Sequence, residues 1–504
     1  MPLRIEPGTL QKNTMLAIAR NFDYICYNAK SREEMCQMIY DESYLQVEGP
    51  FKNLPSTVLA ELMRAILTDK KSHRLKRSHY HVLLQPHLED LKLSSGDGDS
   101  VSGFQYMKAR CKRLRRLDLS YLRTVGPPIL VRLIPSLTQV TVLNLSMTET
   151  VDQVLELIGR HCPEIRELDI SNTPITEAGL IRLSYDAEKD RPMCQKLTKL
   201  SITGCVITAK PVSFLLQYIP TLREIDFDDI FEVFGVMKEW GLTLENIDDC
   251  EKYHLRILNS TNVYVDPDNI HIAITLCPYA TNFTLSNAFV ENEVLYKVMT
   301  MEYLTHLRIT NSEGLTLNFQ EGILPVLTVK GHQLISLLLA NFTNVDVAAI
   351  GESCPRLQNL ALSAIGVYED IVYPREHHFT QLRNLEVWSS LTVESCNTII
   401  LRQLLCYSKN LRNLLVKCTD ALSDKLLFDI WRENDMRHLS RLTIDTCPNV
   451  TASAIHHLLD MTNKLTLIRL WGCFFITKDD DIKFQKRIKQ ENCDLYLEWY
   501  CWDG

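Results

Sequence analysis

The stretch Leu114-Arg115-Arg116-Leu117-Asp118-Leu119-Ser120 and its near copy Ile165-Arg166-Glu167-Leu168-Asp169-Ile170-Ser171-Asn172 decide how the chain is read. In each, apolar residues hold the first, fourth and sixth positions. The last two alternate with charged or polar residues, which is the period of a β-strand, so Leu117 and Leu119 point one way while Arg116, Asp118 and Ser120 point the other. A strand this short buries too little surface to stand alone, so other copies must flank it.

Further copies start at Leu197, Leu222, Leu255, Ala280, Leu304, Leu334, Leu357, Leu382, Leu411, Leu439 and Leu465, with weaker ones at Leu88 and Val140. The result is about 15 units of roughly 27 residues, the period of leucine-rich repeats. The expected fold is α/β: a solenoid with parallel strands on its concave face and helices on its convex face. Helical patterns such as Val151, Val154, Leu155 and Ile158, or Ala454, Ile455, Leu458 and Leu459, supply apolar stripes that cover the sheet. Three units enter their strand through Cys162-Pro163, Cys277-Pro278 and Cys354-Pro355, where proline ends the preceding helix and a small thiol fits the corner; Cys447-Pro448 instead leaves a strand. This pattern resembles the cysteine-containing repeat class common in F-box receptors. The cysteines are expected to be buried small hydrophobes.

Long repeats around Tyr185 to Met193, Asp226 to Glu251, Ser312 to Val329 and Gly366 to Phe379 predict bulging loops or irregular helices. The second gathers Asp228, Asp229, Glu232, Glu239, Glu245, Asp248 and Asp249, either a solvated surface or a contact for a basic partner.

The 504 residues are 46% hydrophobic and 23% charged, an ordinary folded composition, and the net charge of −8 with pI near 6.0 disfavours nucleic acid as ligand. Met1 to Lys12 has no continuous apolar core of the signal-peptide kind, and no later stretch reaches the roughly 20 apolar residues of a membrane span, so a cytoplasmic or nuclear location is expected. Sixteen cysteines include no CxxC or CxxxxC pair, so metal spacing is missing and reduced thiols are expected. His377-His378 after Glu376, and His456-His457, lack the i, i+4 geometry of a zinc site. No GxxxxGK[ST], GxGxxG or GxSxG occurs; no enzyme, no metal and no cofactor are expected. The basic clusters Lys70 to Arg77 and Lys108 to Arg116 read as solvated helical faces, with nuclear import or RNA binding as the other readings.

Residues 1–85 differ in texture from the repeats of 86–504 and form an adaptor-binding or capping segment. One helical pattern places Met15, Ile18, Ala19, Phe22, Ile25 and Cys26 on a single side, with Thr14 or Asn13 as its cap. A second opens at Leu54-Pro55-Ser56 and continues through Val58, Leu59, Leu62, Met63, Ile66 and Leu67.

Thr14-Met15-Leu16-Ala17-Ile18-Ala19-Arg20-Asn21-Phe22 resembles the elongin-binding box of the leucine-rich-repeat substrate receptors of the Zyg-eleven and Zer-one type. The resemblance implies binding of elongin C and cullin-two in a ubiquitin ligase through Met15, Ile18, Ala19 and Phe22, with Leu54 and Pro55 in the cullin-selecting element. Met15 replaces the family's leucine, Ala19 replaces its cysteine, and its helical-repeat C-terminal domain is lacking. Recognition of N-terminal glycine degrons, assigned to that domain, does not carry over. Leu54-Pro55 followed by Val58, Leu59, Leu62 and Ile66 also resembles the first helix of an F-box, which implies a Skp-type adaptor and cullin-one. A protein-interaction scaffold whose N-terminal helices only cap the array is the further alternative.

Counting outward strand positions gives small or polar residues in the early repeats: Asn144, Ser146, Asp169, Ser171, Ser201 and Thr203. Later repeats give Glu386, Trp388, Lys417, Asp445, Arg469 and Trp471. Aromatic and charged groups suit binding hot spots, so a protein substrate is expected there, unless the tryptophans pack against neighbouring repeats or Trp499 and Tyr500.

Overall fold

In a computed structural model, residues 10–68, 75–93, 100–123, 126–243, 246–262, 264–312, 317–342, 344–363, 377–388 and 398–501 are described. Lys70 to Arg74 of the first basic cluster, Glu245 of the acidic stretch and Gly366 to Glu376 lie outside them.

The fold is a leucine-rich-repeat solenoid. Every first-position residue named above opens a short strand, and each of these strands except the one after Leu222 pairs in parallel with the strand of the next repeat. Six strands, from Asp90–Lys92 to Glu224–Asp226, form one sheet. Ten, from Ile257–Ser260 to Tyr496–Tyr500, form another. Register is strict: Leu360, Leu385, Leu414, Leu442 and Ile468 are successive partners, all buried. Their neighbours in sequence face outward, as the period of two requires.

Helices cover the other side. Asp152–His161 buries Val154, Leu155 and Ile158, with Val151 just ahead of it, and Ala452–Asp460 buries Ala454, Ile455, Leu458 and Leu459. The three Cys-Pro corners share one construction. Cys162, Cys277 and Cys354 each follow a helix, each amide donates to the carbonyl four residues back, and each carbonyl accepts from the amide three residues on. Burial pushes the thiols of Cys162 and Cys354 up to about 12 and that of Cys277 upward as well, which makes them packing groups rather than nucleophiles.

The long repeats hold local structure. Tyr185–Asp186 and Arg191–Pro192 pair as a small antiparallel ribbon. Asp226 to Glu251 contains the helix Ile230–Glu239, capped by Asp229, and a short turn at Ile247–Asp249. Phe319–Ile323 is a π-turn that runs into the helix Leu324–Lys330.

Before the first strand come α1 (Leu10–Arg20), α2 (Phe22–Tyr27), α3 (Arg32–Tyr40), α4 (Ser56–Thr68) and α5 (Arg77–Leu83). Their core is continuous with that of the repeats. The expected single helix over the box is interrupted: Asn21, at φ −112° and ψ 23°, divides α1 from α2. Thr14 is not its cap but lies inside α1, donating to the Leu10 carbonyl at 2.7 Å. Ile25, expected on the apolar side, is exposed. No described helix is long and apolar enough to cross a membrane.

Candidate protein-interaction surfaces

On the C-terminal strands the outward positions form two rows. Strand pairing sets Glu386, Leu415, Thr443, Arg469 and Glu498 side by side, and next to them Trp388, Lys417, Asp445, Trp471 and Tyr500. Neighbouring strands lie about 4.8 Å apart, so each row is a contiguous stripe. All six residues expected on this face are brought together. Leu415 and Thr443 hold the same outward positions in their repeats, and Glu498 and Tyr500 are added by a last strand, Tyr496–Tyr500, that the leucine pattern does not mark.

The stripe is internally organised. Lys417 Nζ lies 3.0 Å from Asp445 Oδ2 and 5.8 Å from the ring centre of Trp388. The Asp445 carboxylate beside it raises the Lys417 pKa. Arg469 pairs with Glu498 at 3.2 Å and sits 5.4 Å from the ring centre of Trp471. Trp388 is 41% exposed and Trp471 half-buried. The indole N–H of Trp499 donates to the Ile476 carbonyl at 3.1 Å. A shallow trough of about 520 Å³ lies along the first row, lined among others by Glu386, Leu415, Arg441, Thr443 and Arg469.

The early repeats use the same positions differently. Oxygens of Asp118, Asn144 and Asp169 accept the backbone N–H two residues on, at 3.0, 2.9 and 3.0 Å. These side chains turn the chain out of its strand, which leaves fewer of their hydrogen-bonding sites for a ligand.

At the N-terminal end the box residues divide. Ala19 and Phe22 are buried within the chain; Phe22 is 2% exposed, 4.5 Å from His79 edge to face and 5.8 Å from Phe51. The expectation that these two insert into a partner is corrected, because withdrawing Phe22 from its own core costs on the order of 1.5–3 kcal/mol that a new pocket only restores. Met15 and Ile18 are half-buried against the core. Met15 and Leu16 also line a cleft of about 480 Å³ with Glu61, Arg64, Ala65 and Thr68 of α4, and Gln11 of α1 donates to Glu61 at 2.6 Å across it. Leu54 packs on the core, and its carbonyl accepts from His87 Nε2 at 2.7 Å. Pro55 is exposed, and Ser56 Oγ accepts from the Glu89 amide at 2.8 Å, so this corner holds α4 against the first strand.

The remaining motifs are engaged in packing. His378 is buried beside Gly351, His457 stacks on Trp431 at 5.4 Å, and His456 meets Phe484 edge to face at 4.9 Å. Among the described residues no three His, Cys, Asp or Glu side chains converge as metal ligands. In the second basic cluster, Arg110 donates to the His81 carbonyl at 2.7 Å and lies 5.0 Å from the ring centre of Tyr106.

No protein-family model matches the chain, and no curated protein matches it. Among solved structures it is similar to a chain of the yeast Rad7 and Elc1 complex, at 14% identity over 98% of both chains with a TM-score of 0.44. It is also similar to a leucine-rich-repeat protein of Leptospira interrogans, at 15% identity over 84% of this chain and 92% of that one with a TM-score of 0.39. An internalin of Listeria monocytogenes gives 13% identity over 79% and 94%, with a TM-score of 0.32.

Proposed function

We propose that this chain is the substrate-recognition subunit of a cullin-RING ubiquitin ligase, with residues 1–85 docking the adaptor and the repeats of 86–504 holding a protein substrate. The observation that carries the reading is the pair of in-register rows from Glu386 to Glu498 and from Trp388 to Tyr500, a hot-spot composition on one rigid face. The adaptor part rests on the box around Met15 and on the Leu54-Pro55 element. With Phe22 and Ala19 committed to the core, the docking groups are Met15 and Leu16 at the cleft and Leu10, which is 85% exposed on the same helix. Elongin C with cullin-two is the adaptor pair the box favours; a Skp-type adaptor with cullin-one is the pair the F-box resemblance favours. The chain transfers no ubiquitin itself and acts by raising the substrate's effective concentration near the transferring enzyme.

Tagged protein recovered from cells tests both halves at once. Met15→Asp should lose the adaptor and keep the substrate; Trp388→Ala with Trp471→Ala should keep the adaptor and lose the substrate, at about 2 kcal/mol or more for each true hot spot. Folded variants that retain both partners would overturn the reading. Recovery of a Skp-type adaptor in place of elongin C would move it to the F-box class.

A further inference from the structure

The insertion between strands Glu224–Asp226 and Ile257–Ser260 builds a second surface, independent of the ligase reading. The helix Ile230–Glu239 ends at Trp240, and Gly241, at φ +95°, reverses the chain so that the Leu242 amide donates to the Met237 carbonyl at 3.2 Å. Tyr253 is tied to the end of the next helix, Pro267–Leu276, by its amide donating to the Leu276 carbonyl at 2.7 Å. Between these pieces lies a cleft of about 270 Å³ lined by Met237, Trp240, Leu242, Tyr253 and Leu276. Trp240 is 42% exposed over it. The volume is below the roughly 300–1,000 Å³ of sites for small molecules and cofactors, and suits one bulky apolar side chain.

Its surroundings are anionic. Glu251 lines the cleft, and Glu239, Asp248 and Asp249, each adjacent in sequence to a lining residue or one removed from it, are exposed. None of these four carboxylates has an ion-pair partner among the described residues. The two lysines of the insertion are engaged elsewhere: Lys238 with Asp266 at 3.0 Å and Asp268 at 3.4 Å, and Lys252 donating to the Ile247 carbonyl at 2.9 Å. Two ten-residue helices also direct their carboxyl ends here, which adds partial negative charge.

We propose that this cleft docks a basic peptide segment of a partner protein, one large apolar side chain entering beside Trp240 while flanking lysines or arginines meet Glu239, Asp248, Asp249 and Glu251. A polyanion such as nucleic acid is repelled by the same rim. Tryptophan at the mouth of a small cleft, whose apolar wall is Met237, Leu242, Tyr253 and Leu276, supplies the anchor energy, and the carboxylates supply steering and preference for cations.

The test uses the full chain and a fluorescein-labelled heptapeptide, Lys-Arg-Lys-Leu-Lys-Arg-Lys, followed by anisotropy at about 50 mM salt, where the screening length leaves rim charges effective. Saturable binding is expected, weakened about tenfold by Trp240→Ala, a loss equivalent to roughly 1.4 kcal/mol, and largely retained by Trp240→Phe. Asp248→Lys with Asp249→Lys, both at exposed positions, should weaken binding and flatten its salt dependence. Circular dichroism and the melting temperature establish that each variant is folded. The proposal is overturned if the peptide does not saturate, if a glycine-centred peptide binds equally well, or if folded Trp240→Ala and the double lysine variant both bind as the wild type does.

Discussion

In eight repeats the backbone passes into the left-handed region seven residues beyond the first apolar position. Tyr121, Met147, Asn172, Gly204, Asn341, Cys418, Thr446 and Gly472 hold this place, with φ between 52° and 74°. The reason is a hydrogen bond. At Tyr121, Met147, Asn172, Asn341, Cys418, Thr446 and Gly472 the amide donates to a carbonyl of the next repeat at 2.8–3.0 Å, so the ladder runs past the strand while the chain turns toward its helix. Only glycine meets that demand without a steric penalty, and for β-branched Thr446 the penalty is greatest. Gly472→Ala should therefore destabilise by about 1 kcal/mol, since the new Cβ would also lie 2.9 Å from Thr446 Oγ1. Thr446→Gly should be neutral or stabilising. Urea titration of the pair checks this, and a stabilising Gly472→Ala would refute the assigned backbone. The leucine pattern marks the position by counting, but the amino acids found there share no chemistry, so the sequence alone conceals it. Asn359, Asn384 and Asn413 are the opposite case. They recur at one repeat position, and their side-chain amides bond across the strands, Asn384 to Asn359 and Asn413 to Asn384, a ladder legible in the sequence and overlooked there.

At the scale of elements, the N-terminal helices were the hardest to read. An apolar side at helical spacing runs from Met15 to Cys26 without interruption in the sequence. The break at Asn21 arises because Phe22 turns inward to meet Phe51 and His79, partners 29 and 57 residues away that no local pattern announces. α3 was missed although Ser31 caps it, accepting from the Glu34 amide at 3.2 Å, because its apolar face is short. The element that closes this cluster is α5. Its His79 is buried, Nδ1 accepts from the Lys76 amide at 2.9 Å, and burial lowers its pKa from 6.5 to about 4. The sign follows: the folded imidazole stays neutral where the unfolded one gains a proton. His79 leaves stability intact above about pH 6.5 and removes it as pH falls toward 4, by an amount on the order of 3 kcal/mol. Carboxylates add their own acid dependence, so the informative quantity is a difference. Unfolding free energies at pH 7 and pH 4.5 should fall further in the wild type than in His79→Gln, even though that variant starts less stable. Equal pH slopes would mean His79 is solvated or already charged in the fold.

For the whole molecule, repeat counting located fifteen strand starts and stopped one short. The last strand, Tyr496–Tyr500, pairs in register with Leu467–Trp471, but Asp494 stands at its first position and Trp499 at its sixth, so the leucine pattern does not mark it. What the pattern gives least sign of is the seam. Between Glu224–Asp226 and Ile257–Ser260 regular pairing stops. The seam is bridged by the Arg256 amide to the Arg223 carbonyl at 2.8 Å, the Thr261 amide to the Asp228 carbonyl at 3.1 Å, and Asn259 Nδ2 to the Phe227 carbonyl at 2.8 Å. Elsewhere each repeat contributes a full ladder to its neighbour, and a repeat array transmits stability only through such nearest-neighbour interfaces. A weak interface should divide the array into two cooperative units. Ile444→Ala, deep in the ten-stranded sheet, removes buried methyl groups at about 2–4 kcal/mol. Hydrogen exchange in mild denaturant should then accelerate at Leu385, Leu414 and Ile468, while the amides of Leu143, Leu168 and Leu200 in the six-stranded sheet keep their protection. Leu168→Ala should give the reverse. If either substitution lowers protection equally on both sides, the helix Ile230–Glu239, which packs against the strand Ile257–Ser260 and the helices on either side, carries the coupling across the seam, and the solenoid unfolds as a single unit.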